Sequence, residues 1–330
     1  MTGVSMQTRR LRTPAWAPGG IATLRSSVIR VGGFLAGLLL LGAIWEAYKA
    51  WGPVGGAHLF GVAVLPRTDD TAMPHLWTLW NVLGQQDAVG SQQTISFGTS
   101  TSGASGGQTV LGAIIGDCAQ TFQWAAVGFL VGVLVGIGLA LLLDRSRLVE
   151  RAALPYLVAS QTVPLVALAP ILAQWDGSIH IGGWTWSNGT SIELVAAYLA
   201  FFPVSIGMLR GLRASSQVHN DLFTCTAAGW RQTMLRLKLP TSVPHLLPSL
   251  RLAAAAAVVG AIVAEISIGQ GSIGAKSGIG TRIWEYSQQS DSSRLYAAVI
   301  AAAVLGLLAT GLVSLIDLIL HRYNRLGVRA

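Results

Sequence analysis

The chain holds six long, mostly apolar runs, separated by segments that carry most of its charge. That alternation restricts the folds open to it more than any other feature. A helix needs about 20 apolar residues to cross about 30 Å of hydrocarbon, where every backbone amide must be bonded within the protein. The runs are Val31–Trp51, Phe122–Leu143, Leu157–Trp175, Ile192–Leu209, Leu252–Ile268 and Leu295–Leu320. They predict an all-α integral membrane protein with about six transmembrane helices. Composition agrees: 11% of the residues are charged and 52% hydrophobic, against about 25% charged in a soluble domain. As one helix, Leu111–Leu143 would be about 50 Å long. Its first turns, LGAIIGDCAQT, are therefore expected at or beyond the outer interface. This spares Asp117 a mid-membrane position, which costs an acid on the order of 3 kcal/mol.

Basic residues orient the spans, because Lys and Arg concentrate on the inner side of a membrane. With the N-terminus inside, 17 of the 22 Lys and Arg residues fall on that side, leaving Lys49, Arg67, Lys276, Arg282 and Arg294 outside. The expected topology is N-in and C-in. The net charge of +8 is spread between apolar runs and forms no single patch, so no nucleic-acid partner is expected. Val31–Trp51 reads as a retained span: its apolar core is too long for a signal peptide and no small-x-small cleavage site follows it. TRRLRT near the start reads as part of a basic tail, not a twin-arginine signal.

The expected organisation is a cytoplasmic basic tail over 1–30, a first transmembrane helix over 31–51, an extracytoplasmic segment over 52–110, a core over 111–322 and a short tail over 323–330. Within the extracytoplasmic segment HLWTLWNVLG has the pattern of an interfacial amphipathic helix, and FGTSTSGASGG that of a flexible linker. Cys118 and Cys225 fall on opposite sides of the membrane in this topology, so no disulfide joins them, and the six histidines form no HxxxH or HExxH pattern. No metal site is expected.

Small and polar residues inside the spans mark positions of interest. Gly128, Gly132 and Gly136 recur every four residues along one helix face, which lets membrane helices approach closely. Gln161 and Thr162 lie between Pro155 and Pro164, where freed carbonyls and irregular backbone are tolerated if they line a cavity. They are the candidates for a substrate pathway, together with Glu265, an acid near the outer end of the fifth span that also has the position of a local loop cap. Glu46 and Asp317 sit near span ends, where water is expected to reach them. SGIG, Ser277–Gly280, has the composition of a turn or a re-entrant segment.

The loop over 210–251 is the odd one. DLFTCTAAGWRQTMLRLKLPTSVP, from Asp221 to Pro244, mixes Leu222, Phe223 and Trp230 with Arg231, Arg236 and Lys238. A solvated basic loop has no need of those apolar side chains; an amphipathic element in a partner's groove or on a lipid surface has. Leu239–Pro240 is expected to break or start a helix, since proline lacks an amide hydrogen and restricts the residue before it.

This stretch resembles the cytoplasmic signature E-A-A-x3-G-x9-I-x-L-P of permease subunits of bacterial ATP-binding-cassette importers. Anchored on Leu239–Pro240, Asp221 takes the glutamate position, Leu222 and Phe223 the two alanines, Ala227 the glycine and Leu237 the isoleucine. The continuation LPTSVPHLLPSLRLA looks like the run that follows in the sulfonate, taurine and nitrate permease branch. LLLDRSRLVERAALPYLVASQTVPLVALAPILAQW and IVAEISIGQGSIGAKSGIG resemble the same branch, so the likeness runs from Phe122 to Arg322. The outer loop DGSIHIGGWTWSNGTS is longer than that pattern.

The resemblance implies the type I importer permease fold and a pore made by two permease copies, identical or not. It implies docking of a short coupling helix on a cytoplasmic ATPase dimer, and an extracytoplasmic binding protein that delivers substrate. Asp221, Leu222, Phe223, Ala227, Ala228, Gly229, Trp230, Leu239 and Pro240 then form the coupling element, with the small residues allowing close approach and an acid favoured by the helix dipole. ATP and Mg would belong to the ATPase chain, with no cofactor bound here; indeed the sequence has no GxxxxGK[ST] loop. The implied substrates are small sulfonates, nitrate-like anions or pyrimidine-type vitamin precursors. The competing reading, a secondary transporter or channel without an ATPase, calls for more spans, inverted repeats and intramembrane ion sites. A membrane enzyme calls for a cluster of catalytic groups that the sequence does not offer.

Overall fold

The computed structural model describes residues 19–59, 62–65, 67–87, 109–268 and 277–327. The 97–107 Gly/Ser/Thr tract and the first 18 residues lie outside them. The chain divides into two compact units, Met1–Leu76 and Trp77–Ala330.

The first unit contains α1 (Gly19–Trp51) and a two-stranded antiparallel hairpin, β1 (Ala57–Leu59) with β2 (Val62–Leu65). Buried Lys49 is held by Asp70 Oδ1 at 2.6 Å and by the carbonyl of Met73. The same hydrogen bond keeps the Asp70 carboxyl below its ordinary range. Glu46 is occupied rather than simply wetted: it accepts from the Leu76 amide at 2.8 Å and meets His75 Nδ1 at 2.9 Å.

The second unit begins within α2 (Leu76–Leu83), where Leu79 and Val82 are buried while Trp77 and Trp80 face outward, the amphipathic pattern expected from its sequence. It continues through α3 (Val110–Arg145), α4 (Arg147–Ser160), α5 (Leu165–Ala173), α6 (Asn188–Leu212) and α7 (Gln217–Cys225). Then come α8 (Trp230–Thr233), a π-helical turn (Met234–Lys238), α9 (Leu239–Ile268), α10 (Ile279–Gln288) and α11 (Ser292–Gly327). Four helical stretches among the described residues are long and apolar enough to cross a membrane: α3, α6, α8 through α9, and α11; α4 with α5 supplies a fifth as a bent pair. α1 carries the remaining apolar run. About six spans are thus present, as the sequence predicts.

The third span, expected over Leu157–Trp175 with irregular backbone between its prolines, is divided into two helices. It breaks at Gln161–Pro164 and bends by 87° between α4 and α5. Pro164 has no amide to continue the ladder and pushes Val163 out of helical geometry. Leu239–Pro240 opens α9 as expected, but with no gap before it: α8, the π-turn and α9 run on as one helical span from Trp230 to Ile268. The amide of Leu239 bonds to the Met234 carbonyl, five residues back. The wider π-turn thus falls just before the residue that lacks a donor, a common way of absorbing such a defect.

α6 is the central helix, packed between α3 and α9. The three glycines of α3 make that contact. A Cβ on Gly128 would lie 2.6 Å from Ala196 Cβ, one on Gly132 2.8 Å from Ala200 Cβ, and one on Gly136 2.8 Å from the Phe201 carbonyl oxygen. α6 meets α9 through Gly207 and Gly211, where a Cβ would fall 1.8 Å from Ser249 Oγ and 2.7 Å from Ser242 Cα. Between α5 and α6 the long loop folds as a hairpin, β3 (His180–Ile181) with β4 (Trp184–Thr185). Gly182 and Gly183 both have positive φ at its two-residue turn, as a type I′ turn requires. Trp186 Nε1 donates to Ser191 Oγ at 2.8 Å and ties this hairpin to the start of α6.

Candidate functional site

The two ends of α3 anchor two polar constellations. At its C-terminal end lies the loop between α6 and α9. Ser216 caps α7 by accepting from the His219 amide at 3.4 Å. At the other end of α7, the amide of Ala227 donates to the Thr224 carbonyl at 3.0 Å and that of Ala228 to the Phe223 carbonyl at 3.0 Å. This pair of bonds is a Schellman motif, and it needs a left-handed residue at the position after the cap. Ala227 is that residue, with φ of 51°. The signature's glycine position, which Ala227 takes, is thus one where the backbone conformation itself favours glycine. Gly229 lies two residues on, and a Cβ there would meet nothing within 4 Å. Asp221 also differs from expectation: it is in the second turn of α7, and no acid stands in the first.

α7 buries none of its residues, and Val218 and Leu222, one turn apart, are exposed. Its base is fixed nonetheless. Lys238, in the π-turn, donates to Asp144 Oδ2 of α3 at 2.7 Å. The guanidinium of Arg213, at the end of α6, makes a two-pronged pair with Glu150 of α4. That hydrogen bonding raises the Arg213 pKa above its ordinary value. Arg145 lies 5.0 Å from the centre of the half-exposed Trp230 ring. Met234 is buried in the core that includes Leu143 and Leu212, and Leu237 is buried too. The loop therefore has a rigid root and an uncovered helix. Further along α9, Arg251 pairs with Asp317, which is buried and not wetted as expected.

At the N-terminal end of α3, Arg282 of α10 is buried between two carboxylates. Its Nε donates to Asp117 Oδ2 and its Nη1 to Asp87 Oδ2, each at 2.7 Å. Ser277 adds a bond to Asp117 at 3.0 Å. Glu265 sits beside this cluster, fully buried, and its Oε2 accepts from the Gly280 amide at 2.6 Å at the start of α10. A Cβ on Gly278 would lie 2.6 Å from the Glu265 carboxyl carbon. SGIG is thus wrapped on this carboxylate, which caps α10.

Gln161 is elsewhere. It lies at the break between α4 and α5 and lines a cavity of about 600 Å³ shared with α6 and α9. Thr162 turns its hydroxyl back to the Ala159 carbonyl at 2.7 Å. Cys118 and Cys225 are free thiols.

Reasoning from sequence missed the ion pairs, because their partners stand far apart in the chain. It also passed over one visible signal, the Gly207-x-x-x-Gly211 spacing on α6.

A bundle of bent and small-residue-packed spans, with an uncovered helix on a rigid loop between two of them, defines a multi-spanning transport subunit. The chain belongs to the family described as binding-protein-dependent transport system inner membrane component, whose model matches residues 132–322. It is 33% identical to the formylaminopyrimidine transport permease protein ThiX of Halalkalibacterium halodurans, over 62% of this chain and 76% of that one. A Bacillus subtilis permease named for aliphatic sulfonates transport, SsuC, is 29% identical over 62% and 69% of the two chains. The nitrate import permease protein NrtB of Leptolyngbya laminosa is 27% identical over 60% and 66%. The protein is accordingly an ATP-binding-cassette transporter permease, an all-helical multi-pass membrane transport component and not an enzyme.

Proposed function

We propose that the chain forms the translocation pathway of an ATP-driven importer, with α7 docking on a cytoplasmic ATPase dimer. The observation that carries this is the contrast within one loop. α7 buries nothing and shows Val218 and Leu222 outward, while its root is held by Lys238–Asp144 and Arg213–Glu150. A helix that only rested on the bundle would bury a face of its own; a helix that transmits force needs a partner on its free face and a stiff link to the spans. ATP and Mg act in the partner. A second copy of this permease, or a related one, completes the pore, and a binding protein delivers substrate on the α10 side. The positive-inside bias supports placing both termini and α7 in the cytoplasm.

The solute is small. The names of the relatives support a sulfonate, nitrate-like anion or pyrimidine-type vitamin precursor. Co-purification with the ATPase tests the docking. Leu222→Asp places a charge on the exposed face of α7, where it disturbs no internal contact. It is expected to abolish association and ATP-driven uptake while the permease still extracts as a monodisperse protein. Unchanged association and uptake in that variant would defeat the proposal.

A further inference from the structure

We infer that the cavity between the α4–α5 break, α6 and α9 is a subsite for a small anion, with Arg210 as its charged recognition group. The inference rests on this chain being the substrate-conducting subunit and adds the chemistry of one site within it. At about 600 Å³, the cavity falls in the range of small-molecule sites, about 300–1,000 Å³. Three different elements bring donor-bearing side chains to its wall: Gln161 from the break, Arg210 from the last turn of α6 and His245 from α9. Ser249 adds a hydroxyl.

Among the described residues no carboxylate lines the cavity, and of those that do line it Arg210 alone carries a fixed formal charge. This sets Arg210 apart from its neighbours. Arg213 is paired with Glu150, Lys238 with Asp144 and Arg251 with Asp317. The ion pairs found among the described residues include none to Arg210. Arg210 is itself exposed, and an anion in the cavity offers it charge-assisted hydrogen bonds.

The wall behind Arg210 is rigid. α6 and α9 touch through Gly207 and Gly211, which bracket Arg210, and a Cβ on either would collide with Ser249 or Ser242. Pro203, Pro244 and Pro248 also line the cavity. The two closely packed helices therefore bring Arg210 and His245 to the same cavity from adjoining backbones. The break between α4 and α5 adds Gln161 to the lining as a third element. The same break that divides the third span thus supplies the amide side chain of the subsite.

The test uses the full-length permease purified in lipid nanodiscs. Sodium nitrate, ethanesulfonate and taurine are titrated against sodium chloride at fixed ionic strength, with an uncharged aminopyrimidine as a further probe, and thermal stabilisation and calorimetric heat are read. At least one of the three anions or zwitterions should bind above the chloride background. Arg210→Gln should weaken that binding by about tenfold or more, the scale of a lost charge-assisted hydrogen bond. Arg210→Lys should retain part of it, and Gln161→Ala should weaken it less. Arg236→Gln, a basic exposed residue of the loop, should leave it unchanged.

Absence of binding by every probe overturns the inference, as does binding only of the uncharged pyrimidine. Anion binding indifferent to Arg210→Gln in a variant that keeps the wild-type melting temperature overturns it too, leaving Arg210 as an interface residue only. ATPase co-purification of the same variants reads the docking proposal separately: anion binding with no ATPase association leaves the subsite standing and removes the importer reading.

Discussion

Lys238 Nζ lies 2.7 Å from Asp144 Oδ2 and joins the π-turn before α9 to the last turn of α3. The carboxylate is almost fully buried and the ammonium is one-quarter exposed. Any displacement of the α7 loop must either carry α3 with it or break this pair. Asp144→Asn should cost on the order of 2 kcal/mol, since it leaves a half-buried lysine without its counter-charge. The larger effect is expected on function. ATP hydrolysis by the assembled complex should persist, with uptake per ATP reduced several-fold. Equal loss of hydrolysis and uptake would instead mean that the pair serves only to fold the loop.

Ala227 occupies a left-handed position with φ of 51°. A residue with a Cβ loses about 1–2 kcal/mol there. Ala227→Gly should therefore stabilise α7 by about 1 kcal/mol, seen as slower amide exchange over Gln217–Cys225. Ala227→Val should do the reverse, because β-branching worsens the clash. Faster exchange in the glycine variant would show that the methyl makes a contact worth more than the backbone strain.

Gly132 gives α3 its closest approach to the middle of α6, with 2.8 Å from a built Cβ to both the Ala197 carbonyl and Ala200 Cβ. Neither atom is the end of a flexible side chain, so the helices must separate. Gly132→Leu should lower the melting temperature by several degrees, a destabilisation of about 1–3 kcal/mol. Gly138→Leu, on the open side of the same helix, is the matched control and should be neutral. If both variants melt alike, α3 and α6 do not pack through this face.

Arg282 is bracketed by Asp87 and Asp117. Removing the cation leaves two buried carboxylates facing each other, and Arg282→Gln should cost about 3–5 kcal/mol. Arg282→Lys should recover little of this, because an ammonium lacks the fork that serves both acids. The check is a thermal melt of the purified permease. A Lys variant as stable as the parent would show that charge alone, not geometry, holds the cluster.

Some of this was legible in the chain. The apolar runs give the number of spans, because the length of a membrane helix is set by the bilayer and not by its neighbours. The spacing of Leu239–Pro240 from Asp221 marks the loop, and α7 occurs there. Gly128, Gly132 and Gly136 share one face by helical period alone.

Other features were not legible, for reasons that are physical. The sequence around Gln161 shows prolines on both sides, but a proline in a span can either kink it or be absorbed. At Gln161–Pro164 the helix breaks, whereas at Pro155, Pro203 and Pro244 it continues. Each of these prolines lacks the amide donor, so that property alone does not say which of them ends its helix.

Sequence by itself determined the membrane environment, the division into spans and the place of the exposed loop, since all three follow from local hydropathy, charge and helix period. Tertiary structure decided which charges meet. Asp117 and Arg282, 165 residues apart, or Asp144 and Lys238, 94 apart, have no local reason to pair. A buried charge finds its partner through the packing of whole helices, and that packing also left Arg210 without one among the described residues and Gln161 on the wall of the same cavity.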